Sequence, residues 1–142
     1  MNSSKALITQ YFDSITGNST TPITDYFSDD IRWNLPPTHP FGGPFTGIPA
    51  VLEMMAKGAH FFPYETIAIE LHSLIAEAEN VVAHFRLTAQ THDGRDYANE
   101  YLFRFKCRGQ KIIEVWEFLD TYYQQQMGMF NQKQHINICT ST

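Results

Sequence analysis

The chain has 142 residues, 43% hydrophobic and 18% charged, which suits one folded globular domain and excludes a disordered chain. Its net charge is −5 and Lys and Arg are nowhere clustered, which argues against recognition of nucleic acid through phosphates. No apolar run is long enough to span a bilayer, and the first residues lack the pattern of a secretory signal, so neither a membrane nor export is expected.

Residues 3–16 predict a helix. Ser3 or Ser4 is the expected cap, and Leu7, Ile8, Tyr11, Phe12 and Ile15 recur at helical spacing. Gly17-Asn18 ends it. Ser19-Thr20-Thr21-Pro22 predicts a second short helix, running to Tyr26-Phe27. Asp29-Asp30 reads as a turn and residues 31–35 as a short strand carrying Trp33, stopped by Pro36-Pro37. The loop that follows, residues 38–47, is too rich in Gly and Pro for regular structure. Its Phe41 and Phe45 suggest that it packs down. Pro49 opens a third helix, from Ala50 to about Phe61.

After Pro63 only strands are expected until the tail. Residues 65–76 alternate, with Ile67, Ile69, Leu71 and Ile75 assigned to one face. Residues 81–91 alternate again, with Val81, Ala83, Phe85, Leu87 and Ala89 opposite His84 and Arg86. Asp93-Gly94 marks a hairpin turn. A longer hairpin follows, over residues 96–106 and 111–120. On its first strand Tyr97, Asn99, Tyr101, Phe103 and Phe105 share a face, so that face is buried but carries polar groups. Buried polar groups need partners. Asn99 and Tyr101 therefore belong either to a satisfied core network or to a wall that meets a ligand. The tail is polar and Gln-rich, and from about residue 129 poor order is expected. The class is α+β: three N-terminal helices packed on a curved, mostly antiparallel sheet, whose concave face is the natural pocket.

These elements carry a resemblance. Their order, the Phe41-Gly42-Gly43-Pro44-Phe45-Thr46-Gly47 loop before a helix, the Asn99…Phe103-Arg104-Phe105 strand and the closing Glu114…Glu117-Phe118-Leu119-Asp120 resemble the SnoaL-like branch of the NTF2-like superfamily. Gln126-Met127-Gly128 is similar to a Gln-Leu-Gly frequent in that branch. The resemblance covers residues 3–128. It implies a conical α+β fold, a homodimer, and a small-molecule ligand in the cone. The superfamily spans ketosteroid isomerases, polyketide cyclases, a dehydratase, an epoxide hydrolase and non-catalytic transport factors, so the site has to decide the activity.

Carried over by position, the resemblance assigns roles unevenly. The place of the isomerases' general base holds Leu35, just before Pro36. The place of their protonated acid falls at or near Tyr101, and Tyr11 matches their tyrosine of the first helix. Asp120 is similar in position to the acid/base Asp of the SnoaL-type cyclases. Arg86 with Asp120 matches part of the epoxide hydrolases' Asp-Arg-Asp set.

The residues themselves leave alternatives. Glu117, if inward, would have its pKa raised by burial and be the better acid/base candidate; Asp120 has the opposite strand parity and needs a bulge to join it. An exposed charge is the competing reading of Glu117, and a helix cap that of Asp120. His84 and Arg86 either join Glu117 in the cone or form the solvent face. No two or three of the six histidines share metal-binding spacing with a carboxylate, so neither a metal nor another cofactor is expected. Cys107 and Cys139 likewise show no disulfide or metal pattern, which points to a reduced, cytoplasmic setting. The expected function is acid/base chemistry on a small apolar carbonyl-bearing or cyclic molecule, with Glu117 or Asp120 moving protons and Tyr11, Trp33, Asn99, Tyr101, His84 and Arg86 holding the substrate. The alternative is a non-catalytic binding or dimerisation module.

Overall fold

A computed structural model describes residues 2–130. The helical period at the start gives α1, Ser3–Ile15, which buries Leu7, Ile8, Tyr11 and Phe12. Its cap is Asn2 rather than a serine. The Asn2 carboxamide accepts from the Lys5 N–H and donates to the Ala78 carbonyl, a double role that a hydroxyl is too short to fill. The second expected helix is a single 3₁₀ turn, Ile23–Tyr26, without a side-chain cap.

Strand β1 spans Phe27–Asn34 and so begins earlier than expected. Asp29 and Asp30 lie inside it, not in a turn. The register of β1 against the last strand shifts between Phe27 and Arg32, and such an irregularity accommodates two successive exposed residues. A two-residue strand β2, Phe45–Thr46, precedes α2, Ile48–Ala59. The long strands are β3 (Ala68–Glu77), β4 (Asn80–Gln90), β5 (Asp96–Arg108) and β6 (Lys111–Leu119), and helix α3 covers Thr121–Gln126. The sheet order is β2-β1-β6-β5-β4-β3. Only β1 and β6 pair in parallel. This is the curved, mostly antiparallel sheet of the α+β cone that the resemblance implies.

Alternation sets the inner face of β4 and β5 as expected: Val81 pairs with Phe105, Ala83 with Phe103 and Phe85 with Tyr101. In β3 the register shifts between Leu71 and Ser73. Past that bulge the parity inverts, so Leu74 and Ala76 pack on the core while Ile75 is 68% exposed. A second shift, opposite Lys106 and Cys107, makes Ile113 the extra residue of β6; Ile112 and Val115 take the inward places. Helix α1 closes the concave face. Tyr11 meets Phe105 and Phe12 meets Phe85 edge-on, each at 5.4 Å between ring centres. Each such contact adds about 0.5–1.5 kcal/mol to the burial of its rings.

A second core lies at the other end of the sheet, where Phe62, Tyr97, Met129 and Phe130 pack together with Phe41. The Gly- and Pro-rich loop is thus pinned down, with Phe41 stacked on Phe61 and His39 buried. Of the tail expected to lose order, Met129 and Phe130 are buried; the remainder lies outside the described residues. Among the described residues no helix is long and apolar enough to cross a membrane.

Candidate functional site

The parity of β6 decides the position of Glu117. It pairs with Phe103, so its side chain belongs to the inner face. Trp33, 1% exposed on the neighbouring β1, donates from Nε1 to Glu117 Oε1 at 3.0 Å. Oε2 takes no hydrogen bond among the described residues. Burial pushes the Glu117 carboxyl up to about 7, and the single indole N–H only partly offsets it. Burial also raises the hydroxyls of Tyr11 and Tyr101, and the negative charge of Glu117 adds to both. Acid and tyrosines therefore share one enclosed field. A cleft of about 450 Å³ reaches Glu117 between the end of β1 and the glycine loop, bounded by Leu35, Pro36, Gly43, Pro44 and Trp116. Gly43 is required there: its φ is +108°, and a Cβ would sit 3.0 Å from the Phe45 ring.

Beyond Glu117 lies a hydroxyl–amide network. Asn99 Nδ2 donates to the Tyr97 hydroxyl at 2.9 Å and to the Asp120 carbonyl at 3.1 Å, while Oδ1 accepts from the Glu100 N–H. Gln124 Nε2 donates to the same Tyr97 oxygen at 3.3 Å. The Tyr97 hydroxyl also shares a hydrogen bond with the Tyr101 hydroxyl, 2.9 Å away. Gln124 Oε1 is buried without a hydrogen bond. His39 packs nearby; burial lowers its pKa, the Gln124 side chain pulls it back up, and Lys57 lowers it further.

Not every expected residue joins this site. Asp120 is exposed and caps α3, its carboxylate accepting from the Tyr123 N–H at 2.9 Å; only its backbone carbonyl enters the network. No bulge turns its side chain inward. His84 and Arg86 stand on the outer face, where they meet Glu100, at 2.8 and 2.7 Å, rather than Glu117. The Arg86 hydrogen bond holds the Glu100 carboxyl below its ordinary value. Tyr97 and Gln124 belong to the site but were not among the expected ligand-holding residues. Tyr97 was readable from its shared face with Asn99 and Tyr101. Gln124 had no signal, because a short helix of polar residues shows no apolar period.

The profile of the SnoaL-like domain family matches residues 8–115. No curated protein sequence matches the chain. Among solved structures the fold is similar to TerC co-crystallised with polyporic acid, at 14% identity and a TM-score of 0.75, over 88% of this chain and 97% of that one. An NTF2-like protein of unknown function from Burkholderia pseudomallei aligns at 12% identity and a TM-score of 0.75, over 87% and 95%. A SnoaL-like polyketide cyclase, so named provisionally, from Jannaschia sp. aligns at 18% identity and a TM-score of 0.72, over 87% and 89%. At these identities the likeness carries the fold alone.

Proposed function

The chain belongs to the SnoaL-like domain family, and from that premise we propose that it binds a small, largely apolar, carbonyl-bearing or cyclic molecule and acts on it by cofactor-free acid/base chemistry at Glu117. One observation carries the reading. Glu117 has a carboxyl raised by burial to about 7, one oxygen anchored by Trp33 and the other without a donor among the described residues, and the residue is part of the lining of a cleft. A group of that pKa is present in both protonation states near neutral pH, the condition under which a single carboxyl can take a proton and return it. Oε2 would remove a proton from the carbon beside a carbonyl and deliver it elsewhere on the same molecule, as an isomerase, cyclase or dehydratase requires. A hydroxyl of the buried tyrosines, Tyr101 or Tyr11, would donate to the carbonyl oxygen and stabilise the enolate. The structure of TerC with polyporic acid supports a small molecule as the ligand of such a cone.

The test starts with a screen of small cyclic ketones and enones for binders by thermal shift. The best binder is then incubated in D₂O, and exchange at its α-carbon is followed by NMR. Wild type should catalyse exchange, and Glu117→Gln should bind the compound but lose at least about 100-fold in rate. An unchanged rate in Glu117→Gln would remove Glu117 from the chemistry.

A second reading has its own support. Both N–H donors of Asn99 are spent within the protein and its Oδ1 already accepts from the Glu100 N–H, and Phe85, Phe103 and Phe105 fill much of the cone. That suits a module that holds a ligand, or pairs with a second copy, without turnover. Binding without exchange in wild type would favour it. The outer sheet face is the surface we assign to a homodimer. Among the described residues Cys107 is a buried thiol without a disulfide partner.

A further inference from the structure

We propose that His72, His84 and Glu100 form a binding site for a divalent transition-metal ion of the zinc class on the outer face of the sheet. Their positions in the chain conceal this set, because it comes from three adjacent strands and shows no short spacing. The β3 bulge assembles it. Ser73 is the register partner of His84, and His72 is the extra residue beside it, so two imidazoles lie against one another with ring centres 4.7 Å apart. Glu100 reaches both from β5. Its Oε1 lies 2.8 Å from His84 Nε2 and 3.2 Å from His72 Nε2, and the donor atoms of the three residues all fall within 4.8 Å of one another.

Three details favour a metal over a plain ion pair. First, donors about 2.0–2.1 Å from a tetrahedral ion stand about 3.3 Å apart; the His72–Glu100 separation of 3.2 Å is already at that spacing, and the His84–Glu100 separation of 2.8 Å has only to open slightly to admit the ion. Second, the outer contacts hold the donors in place. Arg86 Nε binds Glu100 Oε2 at 2.7 Å and leaves Oε1 turned to the imidazoles. Glu70 Oε1 stands 3.6 Å from His72 Nδ1, on the side of the ring away from Glu100. Third, the charges agree. With both imidazoles neutral, Glu70 and Glu100 against Arg86 leave a net negative charge to receive a dication. Two imidazoles and one carboxylate suit zinc, nickel or copper, and three protein ligands leave a coordination position open for water or another donor.

The test uses the full chain without a polyhistidine tag, stripped with a chelator. Zinc is titrated by calorimetry and cobalt(II) by its visible absorption. Wild type should take up one equivalent per chain. His72→Ala and His84→Ala should each weaken binding at least about 10-fold, and the isosteric Glu100→Gln should do the same. His60→Ala and His92→Ala should bind as wild type. The three donors are half-exposed, so the variants should unfold as wild type does without metal, which separates lost ligation from lost fold. Absence of saturable uptake by wild type, or unchanged uptake in the His72→Ala/His84→Ala double variant, would overturn the proposal.

Discussion

Glu117 combines burial, a fixed partner and an unspent oxygen, and its ionisation has a consequence for stability that needs no substrate. In the folded chain its carboxyl sits near 7, against 4.5 for the free group. Between those values the folded state holds a proton that the unfolded state has released. Stability from this group is therefore present below about pH 4.5, declines as pH rises to about 7, and is flat above. The shift corresponds to about 3 kcal/mol at most. Glu117→Gln keeps the shape and the acceptor for Trp33 but cannot ionise. It should match wild type in denaturant unfolding at pH 5 and exceed it by about 1–3 kcal/mol at pH 8. A constant difference between variant and wild type across that range would show that the carboxyl is not perturbed. The candidacy of Glu117 was legible in the sequence but its face was not. Two inward residues, Val115 and Leu119, flank it with the right parity, yet the bulge at Ile113 left the count from the turn ambiguous.

Elements were legible where alternation ran without interruption. The inner faces of β4 and β5 follow directly from period 2, and α1 and α2 from apolar spacing and the early proline. What escaped were single-residue insertions. The bulge in β3 put Ile75 outside and His72 beside His84, and no residue type announces a bulge of that kind. The end of β6 shows the converse, since Asp120 had both a cap and a catalytic reading and the structure places its carboxylate on the Tyr123 N–H. Helix α3 is six residues long and carries Gln124 and Tyr123, whose hydroxyl accepts from the Ala98 N–H at 3.1 Å. A lost cap there loosens the wall of the hydroxyl network. Asp120→Ala should cost about 0.5–2 kcal/mol in denaturant unfolding, whereas Asp120→Asn, also a good cap, should keep both stability and α-carbon exchange. Full stability with abolished exchange in Asp120→Asn would make Asp120 the acid/base instead.

At the scale of the whole molecule, the sheet has two faces, and α1 covers only one. Across the other face, Ile75, Val82, Arg104 and Trp116 stand in one row and Leu102 and Phe118 in the next. Ile75 is 68%, Phe118 47% and Leu102 42% exposed, and Arg104 lies 4.4 Å over the Trp116 ring. An apolar band of this length on a sheet face is the kind of surface a second copy covers, burying about 800 Å² per partner in an ordinary interface. In a two-fold pair, each residue of the band meets the same band of the other chain, so one added charge is presented twice. Wild type should therefore sediment as a dimer and the double variant Leu102→Glu/Phe118→Glu as a monomer, because like charges facing one another across an interface cost several kcal/mol. Both side chains point away from the core, so near-wild-type unfolding is expected once the monomers are compared at equal pH. A wild type that stays monomeric at high micromolar concentration would leave the band exposed and remove the dimer from this chain.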